Sequence, residues 1–194
     1  MIHSKPIYAP LAWDKQGHSH LLAANGAGGE ILVNLLAVPP PGPITVLYAP
    51  EPADGPDFSA RLARTATGTF ETFASIGMMC EALRAALLAG RMGLRLYLAG
   101  SERFLWSASN TAASLGVCAD EIRREHVGSL ARAVYCVHCK AITPQVTTNI
   151  VACPNCARTL MVRDHYSARL AAYMGFQVDA ESPGSVPAIE TLYA

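Results

Sequence analysis

Two C-x-x-C pairs separated by thirteen residues, Cys136-Val137-His138-Cys139 and Cys153-Pro154-Asn155-Cys156, constrain this chain more than any other feature. Two such turns bring four thiolates to one point, and sulfur ligands in a tetrahedral array are what Zn²⁺ prefers. Zinc held by Cys136, Cys139, Cys153 and Cys156 is the expectation. Four protein thiolates leave the ion no open position for water, so its expected role is structural rather than hydrolytic. Such a site supplies on the order of 10 kcal/mol of folding free energy, enough to order a module with a small core. Four thiolates around a dication leave about two negative charges, which Lys140 and Arg158 stand close enough in sequence to offset. His138 lies inside the first turn and reads as a surface or interface histidine rather than a fifth ligand.

The segment between the pairs, TTNIVAC, is strand-like and fits the hairpin of a zinc ribbon. Iron in the same four-cysteine site, as in rubredoxin, is the alternative, with electron transfer as its function. Against it, the glycine that commonly follows each rubredoxin pair is replaced here by Lys140 and Ala157. Cys80 and Cys118 stand alone and read as small hydrophobes.

Fifteen basic and fifteen acidic side chains cancel, so the electrostatic footprint of a nucleic-acid binder is missing. With 51% apolar and only 15% charged residues, the chain is expected to cover some apolar surface with another subunit. The most apolar stretch, from Ile31 to Pro50, is broken by Asn34 and by prolines 39, 40, 41 and 43, which excludes a single membrane helix there. No secretory signal is visible at the amino terminus, and a cytoplasmic protein is expected. In that compartment paired C-x-x-C turns more often hold a metal than form disulfides.

Along the chain, the first twenty residues lack a hydrophobic period and read as an arm or edge element. HLLAA (20–24), NGAGG (25–29) and EILVNLLAV (30–38) read as strand, glycine turn and helix, and ITVLYAP (44–50) as a buried strand. A polar excursion over 51–65, a long helix over 70–90, a strand at 94–100, a helix over 101–116 and a closing segment at 119–128 follow. Strands alternating with helices predict a parallel α/β sheet. The domain boundary is expected at 130, with residues 1–130 forming the α/β domain and 131–194 the zinc ribbon. ARTLMVRDHYSARLAAYMG (157–175) reads as a short strand and a helix ending at Gly175, followed by an extended tail suited to wrapping a partner. On that helix Asp164, His165, Tyr166, Arg169 and Tyr173 form either a contact surface for a neighbouring subunit or a solvated face, with Leu170 and Met174 packing on the ribbon. A general-base role for His165 with Asp164 requires a pocket that the sequence does not supply.

HLLAANGAGGEILVNLLAV, ITVLYAP and LRLYLAGSERFLWSASNTAASLGVCADEIRREHVG, in this order and spacing, resemble the pyridine-nucleotide half of the ferredoxin reductase and phthalate dioxygenase reductase family. That resemblance covers about residues 20–128 and implies a ferredoxin-reductase-like sheet. The departures imply a degenerate one. The family strand that ends C-G-P is Ala99-Gly100-Ser101 here, the turn glycines are displaced, and Glu30 would repel a phosphate at the helix N-terminus. About twenty residues precede the domain, too few for the flavin barrel of such reductases, and without a flavin there is no hydride acceptor. No catalytic or cofactor-binding residue is therefore assigned, and a nucleotide-binding regulatory module is kept as an alternative.

CVHC, CPNC and MVRDHYSARLAAYMGFQVDAESPG resemble the small subunit of bacterial dimethylamine monooxygenase, the DmmA-like family, over the whole chain. The resemblance implies membership of a multi-component, NAD(P)H- and O₂-dependent enzyme that demethylates a secondary amine to methylamine and formaldehyde. It implies partners too: a haem subunit, a flavin (FMN) and iron–sulfur reductase subunit, and a folate-binding-like subunit. Haem, FMN and the iron–sulfur cluster would belong to those partners, and this chain would be a non-catalytic assembly subunit carrying structural Zn²⁺. Neither nucleic acid nor membrane is an expected partner.

Overall fold

Long apolar runs make strands buried on both faces, and three of them form the centre of the first sheet. The computed structural model describes residues 5–51 and 55–193. It divides into two compact units, one spanning Tyr8–Gly128 and the other residues 129–193 with the segment 5–7. In the first, β1 (Ser19–Asn25), β2 (Ile44–Ala49), β3 (Thr69–Thr72), β4 (Leu94–Gly100) and β5 (Ile122–His126) lie in the order β3-β2-β1-β4-β5. All four pairings are parallel. Each successive pair of strands is joined through one α-helix: α1 (Gly28–Leu35), α2 (Ser59–Thr65), α3 (Ile76–Ala89) and α4 (Glu102–Ser114), the last followed by a 3-10 turn at Ala119–Glu121.

Alternate residues of each strand serve opposite faces. Leu21, Ala23, Leu47, Leu96, Leu98 and Ile122 pack against Met79 and Leu83 of α3 and Phe104, Leu105 and Ala108 of α4. Leu22, Ala24, Val46, Tyr48, Tyr97 and Ala99 pack against Leu32 and Leu36 at α1, Leu62 of α2, and Phe58. Over β4 and β5 that second face is covered by the amino-terminal arm. Trp13 packs edge-on against Tyr97 with ring centres 5.0 Å apart and donates its indole N–H to the carbonyls of Leu35 and Val38. The Asp14 carboxylate accepts from Arg95 Nε and Arg123 Nη2, each at 2.9 Å, and the Leu11 amide donates to Glu125.

Three expectations are corrected here. The helix expected over 70–90 begins only at Ile76, because the Ser75 hydroxyl accepts from the Met78 amide and caps it there. Its first residues pair instead with β2 as the edge strand β3. The polar excursion at 51–65 contains α2, and its residues 52–54 lie outside the described residues. The segment 157–175 holds no helix.

Those residues are strands of the second unit, where β6 (Arg132–Cys136), β7 (Ile142–Val146), β8 (Ile150–Ala152), β9 (Thr159–Ser167) and β10 (Ala172–Gln177) lie in the order β7-β6-β10-β9-β8. β6 and β10 run parallel and the other neighbours antiparallel. Tyr166 and Tyr173, expected on a helix, face each other across the β9–β10 hairpin with ring centres 4.8 Å apart. A cross-strand aromatic pair of this kind stabilises a hairpin. Strand pairing with β6 overrides the helical leaning of SARLAAYMG, and Gly175 is what allows it. A Cβ there would lie 2.6 Å from Val134 Cγ1. Past β10 the chain returns along the module. Asn149 donates its amide to the Glu190 carbonyl and its side chain to that of Ala188, and the amides of Leu192 and Tyr193 donate to the Thr147 carbonyl. Among the described residues, no helix is long and apolar enough to cross a membrane.

Candidate metal centre

Each C-x-x-C turn is a six-residue loop closed by the same two backbone bonds. In the first, Lys140 N–H donates to the Cys136 carbonyl and Cys136 N–H to that of Ala141; in the second, Ala157 N–H donates to Cys153 and Cys153 N–H to Arg158. All four are 2.9 Å long. Closing the loop forces the residue after the second cysteine into the left-handed region, with φ of 71° at Lys140 and 56° at Ala157. This is the position where glycine costs least, and the chain uses lysine and alanine there.

The two loops face each other, and the four Sγ atoms of Cys136, Cys139, Cys153 and Cys156 all lie within 4.8 Å of one another. Cys139 Sγ is 3.5 Å from Cys153 Sγ, and Cys136 Sγ is 3.8 Å from Cys156 Sγ. Metal–sulfur bonds of about 2.3 Å in a tetrahedron require sulfur–sulfur edges of about 3.8 Å, so the donor set and spacing fit a tetrahedral thiophilic ion. Cys136 and Cys153 are buried within the module's apolar cluster, beside Val134, Val146, Leu160 and Val162.

The thiols are electrostatically unequal. The Asn155 side chain and the Ala141 backbone favour the Cys139 thiolate and bring its pKa down to about 6. The backbone of Arg158 does the same, in direction, for Cys156. At Cys153 the Cys156 backbone favours the thiolate, but desolvation and the neighbouring sulfurs of Cys139 and Cys156 prevail and push it up to about 11. A cation among them would favour the thiolate at every position.

His138 is exposed and outside the sulfur cluster. The Lys140 ammonium donates to the Val137 carbonyl, and Arg158 Nε donates to Gln177. Asp164 pairs with Lys5 and Arg132; His165 and Arg169 are exposed. Cys80 is half-buried and Cys118 exposed, both free.

At the glycine turn of the α/β unit, Asn25, which is buried, accepts the Ser101 amide at 3.0 Å. It donates to Glu51 at 2.5 Å and to the Ser101 hydroxyl at 3.1 Å. The turn glycines serve close packing. A Cβ on Gly28 would lie 2.1 Å from the Ala99 carbonyl oxygen, and one on Gly29 would lie 2.6 Å from Phe58 Cβ. Glu30 is exposed at the first turn of α1, 3.8 Å from Arg61. Sequence reasoning marked Glu30 but missed the Asn25–Glu51–Ser101 network, because Glu51 and Ser101 gain meaning only when β2 and β4 flank β1.

The structure therefore defines a two-unit chain: a parallel α/β unit whose Asn25, just before the glycine turn, is bonded to Glu51 and Ser101, and a β module built around four converging cysteines. The model for the amino-terminal domain of DmmA-like dimethylamine monooxygenase subunits matches residues 1–122, and that for the carboxy-terminal domain matches residues 133–176. The chain belongs to this family. The heme-dependent oxidative N-demethylase delta subunit of Ectopseudomonas mendocina (strain ymp) is 38% identical over 111 residues, covering 57% of this chain and 63% of that relative. The match thus spans less than two thirds of the relative's length. Among solved structures, the ferredoxin reductase of carbazole 1,9a-dioxygenase aligns with a TM-score of 0.42 and 16% identity, over 61% of this chain and 34% of its own. An intact type IV self-sufficient cytochrome P450 monooxygenase aligns with a TM-score of 0.47 and 18% identity, over 69% and 19%.

Proposed function

We propose that this chain is the small, non-catalytic subunit of an NAD(P)H- and O₂-dependent, haem-based oxidative N-demethylase that converts dimethylamine, or a close secondary amine, to methylamine and formaldehyde. The observation that carries the reading is that both domain models of DmmA-like subunits match this one chain in order. Haem, FMN and the iron–sulfur cluster belong to its haem, reductase and folate-binding-like partners. The chain's own part is assembly, through an α/β domain at 1–130 and a zinc ribbon at 131–194.

In the ribbon, Cys136, Cys139, Cys153 and Cys156 hold Zn²⁺. The ion supplies cross-linking, since four thiolates fill a tetrahedral shell and leave no position for substrate. The six-residue loops orient the sulfurs before binding, and the apolar cluster around Cys136 and Cys153 excludes water from one side of the site. Free thiols placed for a metal rather than joined in disulfides suit a reducing cytoplasm.

The test is metal analysis with an absorption spectrum on the chain co-expressed with its operon neighbours, with and without this chain. One zinc per chain, haem and flavin on larger co-purifying subunits, and loss of the assembled complex when this chain is omitted are expected. Iron in the four-cysteine site, with visible absorption that bleaches on reduction, would make the chain an electron carrier and overturn the structural role.

A further inference from the structure

The fourteen-residue helix α3 turns Met79 and Leu83 into the core. Its opposite face carries Gly77, Glu81, Arg84 and Leu88, a 4-3-4 spacing that puts all four on one line. All four are exposed, Leu88 at 66%, and beside the line stand exposed Met78 (57%) and Ala85. Neither Glu81 nor Arg84 makes an ion pair among the described residues. Around Gly77 there is open space, since a Cβ built there meets only Ser75 Oγ, at 3.8 Å. No contact within the unit accounts for a glycine at this position.

We propose that this face pairs antiparallel with α3 of a second copy of the chain, about a two-fold axis passing between residues 82 and 83. An antiparallel pair about that axis sets Leu88 of each copy over Gly77 of the other, a large side chain against a gap. It also sets Glu81 of each copy against Arg84 of the other, so two ion pairs form by symmetry. A parallel, in-register pair would instead oppose Glu81 to Glu81 and Arg84 to Arg84, and like charges repel. The charge order of the face is thus complementary to itself in one orientation only. A helix of this length, about 21 Å, buries less than a standard interface, as in transient, reversible associations.

Sedimentation equilibrium of the full chain over a concentration series tests this. The wild type should pass from the mass of one chain to that of two. E81R and R84E should each weaken the dimer at least about tenfold, the equivalent of 1.4 kcal/mol, because each opposes two like pairs. An equimolar mixture of E81R and R84E chains should dimerise again, as should the double variant E81R/R84E, in which both pairs are restored with reversed sense. Recovery on mixing also separates loss of pairing from loss of folding. A chain that stays monomeric throughout, a dimer indifferent to both single changes, or a monomer whose E81R variant fails to enter its multi-subunit complex would overturn the proposal, the last by giving the face to a different subunit.

Discussion

The guanidinium carbon of Arg132 lies 3.7 Å from the ring centre of Tyr193, and the ring of Tyr173 covers its other side at 4.0 Å. Arg132 is 7% exposed and its Nη2 donates to Asp164. A cation desolvated between two aromatic faces is attracted to each by about 1–2 kcal/mol. Tyr193 thus anchors the returning segment that Asn149 and Thr147 hold by backbone bonds. Tyr193→Ala should destabilise the second unit by about 1–2 kcal/mol and speed hydrogen exchange at the Glu190 and Leu192 amides. Tyr193→Phe should leave both unchanged, since the ring makes the contact. Equal loss in the two variants would assign the anchoring to the hydroxyl instead.

Ala157 and Lys140 occupy equivalent left-handed positions in the two cysteine loops, where an L-residue with a Cβ pays about 1–2 kcal/mol. Part of that is offset in Ala157→Gly by the greater freedom of glycine in the unfolded chain. A net gain of about 0.5–1 kcal/mol is expected, read as a higher melting midpoint of the metal-loaded chain. Lys140→Gly should gain less, because it loses the ammonium bond to the Val137 carbonyl. A lower midpoint for Ala157→Gly would show that the alanine is not strained.

Much of the α/β unit was legible because its central strands are long apolar runs and its helices end at recognisable glycines, as at Gly90 and Gly116. β5 was not legible, since IRREH carries three charged residues and a histidine. It becomes a strand because Arg124 lies under α4, donating to Ser109 and stacking on Trp106, while Arg123 and Glu125 meet the arm. The converging cysteines were legible from spacing alone. The hairpin behind them was misread because Ala168, Leu170 and Ala171 favour a helix, and the pairing of Tyr166 with Tyr173 is invisible without β6. Arg132 carried no signal in the sequence for the same reason: its cage is built from residues 41 and 61 positions away.

Metal removal should act on one unit only. The second unit's core is small and gathered around Cys136 and Cys153, whereas the first has two extended apolar layers of its own. Chelation, or Cys153→Ser, should release the ion and abolish the dispersed amide signals of residues 132–177 while leaving those of β1, β2 and β4 in place. Acid should have the same effect as chelator, because protons compete with the metal for thiolates. Retention of both sets of signals after the metal is stripped would show that the ion is dispensable for folding.

The acidic surroundings of the glycine turn, Glu51 bonded to Asn25 and Glu30 in the first turn of α1, predict an absence of nucleotide binding. Asn25 Oδ1 would lie 1.9 Å from a Cβ on Gly100, so its side chain takes the space beside the end of β4. Any phosphate above the turn would meet the carboxylates of Glu51 and Glu30 beside the first-turn amides of α1. Isothermal titration with NADPH or NADH should give no saturable heat at ligand concentrations up to about 1 mM. Micromolar binding would revive the regulatory-module alternative.

Asp14 ties the arm to β4 and β5 through Arg95 and Arg123, and its side chain is 13% exposed. The Gln16 amide, followed by the Arg95 and Arg123 guanidinium groups, holds its pKa below the usual carboxylate range against the opposing effect of desolvation. A carboxylate whose pKa is lower folded than unfolded stabilises the fold above its unfolded value, about 3.9, and loses that contribution as pH falls through the folded value. Asp14→Asn should therefore cost about 1–3 kcal/mol at pH 7, with the arm loosening over Tyr97 and two arginines left without their shared partner. The difference from wild type should hold steady from pH 7 to about 5 and shrink below about 4, as the wild-type carboxyl is itself protonated. Urea midpoints of both chains across that range measure it. A gap that persists undiminished at pH 2 would mean that the Asp14→Asn substitution acts through packing rather than charge.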